Sequence, residues 1–234
     1  EEPIGSKRLN QIVKPGDKIV IITSDITRPM PTGKVMDPLM EELLSAGVSP
    51  DNVTLVFARG SHRHHSQQEM AHLAGNWYGK ICCVDSDSEN VIHLGTTSSG
   101  TPVDIDARVV QADQRICLGN VEFHYFAGYS GGAKAIMPGV STVSAITMNH
   151  RMMVDPRARA GNLDDNPVRR DIEEAGKMTG IDFIVNVVLN TRKQIIYCAA
   201  GDSIQAHRDA CAYLNGIYRS PISAKADIVI VSQG

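Results

Sequence analysis

Four short runs of consecutive apolar residues, many of them β-branched, lie in the first half of the chain. They cover residues 17–23, 52–58, 80–84 and 115–118, and amphipathic stretches separate them. Apolar residues at every position, rather than at every second one, predict strands that are buried on both faces. Such strands in alternation with helices are typical of a largely parallel sheet covered by helices on both sides. The sequence therefore predicts a Rossmann-like α/β fold.

The remaining stretches extend this pattern to the end of the chain. Helical periodicity predicts helices over residues 38–46, 66–74, 166–178 and 202–218, with a helical turn over 107–112. Two further apolar runs predict a hairpin, and the run at 227–231 predicts a last buried strand. The hairpin strands are expected at 181–189 and 194–199.

Composition excludes several classes of protein. The chain has 234 residues, of which 42% are hydrophobic, and a formal net charge of −3. A disordered chain would have fewer apolar residues and a larger net charge, and no apolar run approaches the roughly 20 residues of a membrane-spanning helix. Scattered lysines and arginines give no basic surface for nucleic acid. Five cysteines without a Cys-x-x-Cys pair indicate a reducing compartment, so we expect a cytoplasmic protein without membrane or nucleic-acid partners.

Polar and titratable residues follow the predicted strands at their carboxyl ends, where ligands bind in sheets of this type. Asp25 and Arg28 follow the first strand, and His62, with His64 and His65, follows the second. Arg28 is suited to binding a carboxylate through two hydrogen bonds, although a local ion pair with Asp25 is an alternative. His62 lies nearest its strand, so it is the expected functional imidazole, whereas His64 and His65 are expected to be solvated. A zinc site formed by the three histidines lacks a completing ligand.

A glycine-rich segment at residues 128–134 contains the highest concentration of residues that indicate a binding site. Its glycines, Ser130 and Lys134 suggest backbone amides arranged around an anion before an apolar helix. The spacing differs from that of a Walker A loop. It does match Gly-x-Ser-x-Gly, so a serine hydrolase that uses Ser130 as nucleophile is an alternative. Further along, Asn149-His150 lies among methionines in a segment that also fits an ordinary helix face.

These segments together resemble the lactate racemase family, the nickel-pincer-nucleotide enzymes that racemise or epimerise 2-hydroxy acids. The resemblance covers nearly the whole chain in the same order, and the block from His124 to Gly139 is its most specific part. The other matching segments are Asp25-Ile26-Thr27-Arg28-Pro29, Gly60-Ser61-His62-Arg63, Asn149-His150, 159–163 and 227–231.

The resemblance implies a role for each matching residue. His62 and His124 match the acid/base histidines, and Arg28, with Asp25 beside it, matches the residue that holds the substrate carboxylate. Lys134 matches the lysine at the cofactor's thioamide arm, and His150 matches the protein ligand to nickel. Ser130, Gly131 and Gly132 are expected to bind the nucleotide phosphate.

The resemblance also implies a larger protein. Family members continue into a second domain, so residues 1–226 are expected to form the larger, cofactor-binding N-terminal domain and residues 227–234 the start of the connection to the second. The implied partners are a small 2-hydroxy acid substrate and the proteins that make the cofactor. In the family, the second domain closes over the cofactor. A non-catalytic nucleotide- or anion-binding domain is therefore a third hypothesis for this chain.

Overall fold

The computed structural model describes residues 2–222, 224 and 226–230. The strands within these residues are β1 (Ile19–Ser24), β2 (Val53–Ala58), β3 (Cys82–Asp85), β4 (Val91–Thr96), β5 (Pro102–Asp106), β6 (Gln114–Asn120), β7 (Phe123–His124), β8 (Gly128–Tyr129), β9 (Phe183–Leu189) and β10 (Ile195–Gly201). The α-helices are α1 (Thr32–Ser45), α2 (Gln67–Ala74), α3 (Ala107–Val110), α4 (Val143–Arg151), α5 (Pro167–Thr179) and α6 (Gln205–Tyr218).

A six-stranded sheet with the strand order β10-β9-β6-β1-β2-β3 forms the centre of the molecule. The strands from β3 to β9 in this order are parallel to their neighbours, and β10 runs antiparallel to β9. The predicted α/β class, the largely parallel sheet and the hairpin are therefore confirmed. The carboxyl ends of β1, β2 and β6 lie side by side at one edge of this sheet.

Apolar side chains bury the sheet on both faces, as the continuous runs predict. In β1, the adjacent residues Ile21 and Ile22 are both fully buried but belong to different clusters on opposite sides of the sheet. Leu55 and Val56 in β2 divide in the same way. Burying a side chain of this size stabilises the fold by roughly 1.5–3 kcal/mol, so both helical layers are held to the central strands.

One helix and one pair of strands differ from the sequence prediction. The helix expected to begin at Pro38 begins at Thr32 and contains Pro38 in its interior. Burial of Val35, Met36 and Met40 offsets the hydrogen bond that this proline cannot donate. The antiparallel pair β4–β5 has no counterpart in the sequence prediction, because β4 is only partly buried and neither strand is a continuous apolar run.

The apolar run near the carboxyl end of the chain does not form the expected buried strand. Asp227 to Ile230 have no strand conformation, and Ile230 is 92% exposed. No strand lies beside this run among the described residues, so its backbone has no sheet neighbour with which to pair. Val231, the last residue of the predicted strand, lies outside the described residues. Among the helices that are described, none combines the length and apolar composition needed to cross a bilayer.

Candidate active site at the carboxyl edge of the sheet

A cleft of about 320 Å³ opens at the carboxyl ends of β1, β2 and β6. Every residue that the sequence singled out as a site residue lines it, although those residues come from segments that are far apart in the chain. They are Asp25, Arg28, His62, His124, Ser130, Gly131, Gly132, Lys134 and His150. The parallel sheet therefore brings the predicted residues together in one place.

His62 and Asp25 form a hydrogen-bonded pair at the edge of the cleft. The Nδ1 atom of His62 lies 2.6 Å from Oδ2 of Asp25, whose other carboxylate oxygen accepts a hydrogen bond from the Thr27 hydroxyl at 2.8 Å. Asp25 is buried, whereas the His62 side chain is 45% exposed. A carboxylate at Nδ1 holds the ring proton there, so Nε2 is left as the free base. Asp25 thus orients His62, and its oxygens are both engaged within the protein.

The Arg28 guanidinium is a positive charge without an ion-pair partner among the described residues. The expected alternative, an ion pair with Asp25, does not form, because the Asp25 carboxylate pairs with His62. Arg28 is exposed, and its guanidinium makes no hydrogen bond or ion pair with the residues that the structure describes. Its five donors remain available to an anion that enters the cleft.

The glycine-rich loop folds around a buried arginine of α5. Arg169 is fully buried, and its guanidinium donates hydrogen bonds to the backbone carbonyls of Ala127, Tyr129 and Gly131. Burial lowers the pKa of Arg169 to about 10, with the Glu173 carboxylate opposing that shift. Arg169 therefore remains charged at neutral pH and places a positive charge directly beneath the loop.

Side chains of β9 and α6 also fix the glycine-rich loop. The amide of Gly132 donates to Oδ1 of Asn186 on β9 at 2.9 Å, and Nε2 of the buried His207 lies 2.8 Å from the carbonyl of Ser130. A Cβ atom on Gly131 would lie 2.8 Å from both Asn186 and Val121, and its φ of +75° also requires glycine. The loop leads into a single 3-10 turn, Gly132–Ala135, instead of the expected apolar helix.

Ser130 has a structural role in this loop. Its hydroxyl donates to the carbonyl of Asn120 at 2.8 Å and accepts from the amide of Glu122 at 2.9 Å. A nucleophilic serine needs a general base at its hydroxyl, and no described histidine ring lies within hydrogen-bond distance of Ser130 Oγ. The structure therefore gives no support to the serine hydrolase.

The glycine-rich loop also has few amides free for a phosphate. The amides of Ser130, Gly132 and Lys134 all donate to acceptors within the protein. At most, the amides of Gly131 and Ala133 could bind an anion, so this loop is a smaller anion site than the sequence suggested.

Lys134 and His124 contact each other inside the cleft. Nζ of Lys134 lies 3.3 Å from Nε2 of His124, and the amide of Ala127 donates to Nδ1 of the same ring at 3.2 Å. With Nδ1 as an acceptor, a neutral ring has its proton on Nε2. Only an uncharged amine can accept that proton, because an ammonium group has no lone pair. This contact is therefore a hydrogen bond only when the Lys134 amine is neutral.

The electrostatics of the cleft favour the same protonation states. Burial, with the charges of Arg169 and Arg28, lowers the pKa of Lys134 to about 7. Burial, with Lys134 and Arg28 as the next causes, lowers the pKa of His124 to about 3. Both shifts act in the same direction: they favour the uncharged His124 ring and the uncharged Lys134 amine over their protonated forms.

His150 projects into the cleft from the last turn of α4. Its ring makes an edge contact with Phe126, which also contacts His124, at centroid distances of 4.9 and 4.6 Å. Burial and Lys134 lower the pKa of His150, and its buried Nδ1 has no hydrogen-bond partner among the described residues. A neutral imidazole with an unpaired nitrogen is a competent metal ligand.

The helix that contains His150 is fixed by the residue next to it. The buried Asn149 donates to the Asp171 carboxylate of α5 at 2.7 Å, and Asp171 also accepts from Thr97. Because Asn149 and Asp171 are fully buried, α4 has a defined position over the cleft.

Of the two histidines expected to be solvated, only His64 is exposed. The side chain of His64 is 72% exposed, whereas that of His65 is 1% exposed and contacts Asp85 and the amide of Ile26. Sequence reasoning missed His65 because a histidine in a polar loop normally remains in water. It also missed Arg169, Asn186 and His207, which lie in amphipathic or apolar stretches and have no motif.

Comparisons with known proteins agree on one family. The model of the lactate racemase N-terminal domain matches residues 1–161. Lactate racemase from Thermoanaerobacterium thermosaccharolyticum is 39% identical over 241 residues, and that from Lactiplantibacillus plantarum is 34% identical over 245 residues. Each alignment covers all of this chain and 56% of the relative, so the chain spans about half the length of the curated relatives it matches.

A solved structure shows the same fold. The lactate racemase apoprotein from Thermoanaerobacterium thermosaccharolyticum superimposes with a TM-score of 0.86 at 38% identity, over 93% of this chain and 53% of that one. A Thermotoga maritima protein at 21% identity shares the fold with a TM-score of 0.75.

Replacing Arg169 by Met is expected to destabilise the protein strongly. The substitution leaves the carbonyls of Ala127, Tyr129 and Gly131 without their donor, and each unpaired buried polar group costs about 1–3 kcal/mol. We expect the free energy of unfolding in urea to fall by at least about 3 kcal/mol. The neighbouring Arg170, which is exposed, provides the control, because Arg170→Met should cost about 1 kcal/mol or less. Equal losses in the two variants would contradict the role assigned to Arg169.

Replacing Lys134 by Met is expected to raise the pKa of His124 above its value of about 3. A cation next to an imidazole disfavours the imidazolium, so removal of Lys134 favours protonation. Burial is the larger cause of the shift, and the pKa should therefore stay below that of an exposed histidine. Titration of the His124 ring by NMR measures the change, and a pKa that falls or does not move would refute the coupling.

Proposed function

This chain belongs to the lactate racemase family, and we propose that it forms the cofactor-binding domain of an enzyme that racemises or epimerises a 2-hydroxy acid. The observation that supports the proposal best is the convergence of His62, His124, Lys134, His150 and Arg28 in one cleft. A serine hydrolase would require a base at Ser130, and a simple anion-binding domain would not require two imidazoles in opposite electrostatic surroundings.

Arg28 is proposed to bind the carboxylate of the substrate. Its guanidinium is free of protein partners among the described residues, and a planar carboxylate can accept two of its hydrogen bonds at once. The bound carboxylate would also offset the positive charge of Arg28 that lowers the pKa of His124. Substrate binding would thereby make His124 a better proton acceptor than it is in the empty cleft.

His62 and His124 are proposed as the acid/base residues that take the hydroxyl proton and return it. Inversion at the Cα atom requires proton transfer in two orientations of the hydroxyl group, which two imidazoles on different loops can serve. Asp25 holds the Nδ1 proton of His62, so the free Nε2 is the atom that accepts a proton. We therefore propose that Asp25 positions His62 and does not contact the substrate.

The residues of the cleft fit the nickel-pincer nucleotide that the family resemblance implies. Among the described residues there is no group of three or more histidine, cysteine or acidic side chains that could hold a metal ion. A single neutral imidazole, that of His150, suits a nickel ion whose other donors belong to an organic cofactor. When bound, this cofactor would accept the Cα hydrogen of the substrate as hydride and return it.

Lys134 is proposed to lie at the thioamide arm of the cofactor. A lysine whose pKa is about 7 is unprotonated often enough at neutral pH to act as a nucleophile. The amides of Gly131 and Ala133 are proposed to contact the nucleotide phosphate, with the buried charge of Arg169 beneath them. The other proposed partners are the proteins that make the cofactor, and the proposed location is the cytoplasm, where the free cysteines of this chain would stay reduced.

Activity tests the proposal directly. The protein, expressed together with the cofactor-biosynthesis proteins, is incubated with pure enantiomers of lactate and of longer 2-hydroxy acids, and chiral chromatography measures the loss of optical purity. We expect His62→Asn and His124→Asn to lower kcat by about 10²–10⁴-fold with the nickel content unchanged. No isomerisation of any 2-hydroxy acid by cofactor-loaded protein would instead support a non-catalytic binding domain.

Replacement of His150 tests the metal site separately. His150→Ala removes the proposed protein ligand, so we expect the nickel retained per protein to fall at least about tenfold in native mass spectrometry, because a lost ligand weakens metal affinity. His72→Ala alters an exposed histidine outside the cleft and should retain the wild-type nickel content. Equal nickel retention by the two variants would rule out His150 as the ligand.

A further inference from the structure

The loop that follows β2 contacts the loop that follows β1 through two histidines. His62 contacts the Asp25 side chain on the cleft side, and His65 contacts the backbone of Ile26 away from the cleft. The two contacts meet on adjacent residues, since the Asp25 carbonyl and the Ile26 amide belong to one peptide group. The hydrogen bond between His65 and the Ile26 amide therefore acts on the backbone that carries the Asp25 side chain.

His65 is held in a single orientation by two hydrogen bonds. Its Nδ1 pairs with Oδ1 of Asp85 at the end of β3, and its Nε2 accepts the amide hydrogen of Ile26 at 3.0 Å. Because Nε2 is the acceptor, the ring proton lies on Nδ1, toward the carboxylate. The amide of His65 also donates to Asp85, and the ring packs against Phe57 at a centroid distance of 5.3 Å.

We propose that His65 is a positioning residue that fixes Asp25 against His62 through the Ile26 amide, and thereby keeps the ring proton of His62 on Nδ1. Only the expected effect on catalysis rests on the proposed racemase function, whereas the effect on the His62 tautomer does not. Asp85, His65 and Ile26 form a chain of contacts from β3 to β1 behind the cleft. None of the three touches the proposed substrate site directly.

The physical reason is the short distance over which the contact acts. The Ile26 amide nitrogen is bonded to the carbonyl carbon of Asp25, so a displacement of that peptide moves the Asp25 carboxylate by a similar amount. The His62–Asp25 hydrogen bond is 2.6 Å long, and a shift of about 1 Å would break it. Without the carboxylate, His62 would return to the Nε2–H tautomer that free histidine prefers, which has no base directed to the cleft.

Replacing His65 by either of two amide side chains, Asn or Gln, tests its two hydrogen bonds one at a time. Asn places its polar atoms near the position of Nδ1, so His65→Asn keeps a group beside Asp85 but cannot reach the Ile26 amide. Gln extends to the position of Nε2, so His65→Gln keeps an acceptor for Ile26. His64→Asn is the matched control, because His64 also contacts Asp85 but is exposed and does not contact Ile26.

The primary readout is the tautomer of His62, measured from the ¹⁵N chemical shifts of its ring in the protein without cofactor. We expect wild type, His64→Asn and His65→Gln to keep the proton on Nδ1 and His65→Asn to move toward the Nε2–H form. If His65→Asn does not fold, as judged by near-ultraviolet circular dichroism, Asp85→Ala releases the same ring and should cause the same change. An unchanged His62 tautomer in a folded His65→Asn or Asp85→Ala variant would overturn the proposal, as would loss of the wild-type tautomer in His65→Gln.

Activity then distinguishes this proposal from the proposed function. In an active racemase, His65→Asn should lower kcat/KM at least about tenfold, because small displacements of catalytic groups are costly, and His65→Gln should stay within about threefold of wild type. A tautomer change in a protein whose cofactor-loaded form racemises no 2-hydroxy acid would support the positioning role and refute the racemase. Racemase activity with equal losses in His65→Asn and His65→Gln would refute the positioning role alone.

Discussion

The buried guanidinium of Arg169 is the constraint on which the cleft depends. A charged group that is removed from water must receive compensating hydrogen bonds, and here the compensation comes from three carbonyls of the segment 127–131. The loop that leads to Lys134 therefore folds around the cation. After burial, the same charge is the next cause that lowers the pKa of Lys134, so Arg169 affects both the shape of the loop and the protonation of its amine.

The two histidines of the cleft lie in opposite electrostatic surroundings. His62 is hydrogen-bonded to the buried Asp25 carboxylate. The protonated form of His124 is disfavoured by burial and then by the charges of Lys134, Arg28 and Arg169. Pairs of titratable groups whose environments differ in this way are typical of sites that use one group as a base and the other as an acid. The cleft therefore differentiates two chemically identical side chains before any ligand is bound.

Much of the fold and of the site could be predicted from the sequence, because both follow from local patterns. Continuous apolar runs predict doubly buried strands, and the carboxyl ends of parallel strands place Asp25, His62 and the glycine-rich segment at one edge. The contacts that hold the site could not be predicted in this way. Arg169, Asn186 and His65 act through backbone groups distant in sequence, and such contacts leave no periodicity. The strand predicted at 227–231 is wrong over its described residues, 227–230, because apolar character alone does not supply a neighbouring strand.

The pKa of Lys134 tests the central claim most directly, since it depends on the burial of the amine by the loop and on the buried charge of Arg169. It can be measured in the intact protein from the ¹³Cε chemical shifts of selectively labelled lysine between pH 5 and pH 11. The structure predicts a midpoint of about 7, with the amine protonated below that pH and neutral above it. A midpoint near 10.5, the ordinary value for lysine, would contradict the account of how burial and Arg169 lower the pKa of this lysine.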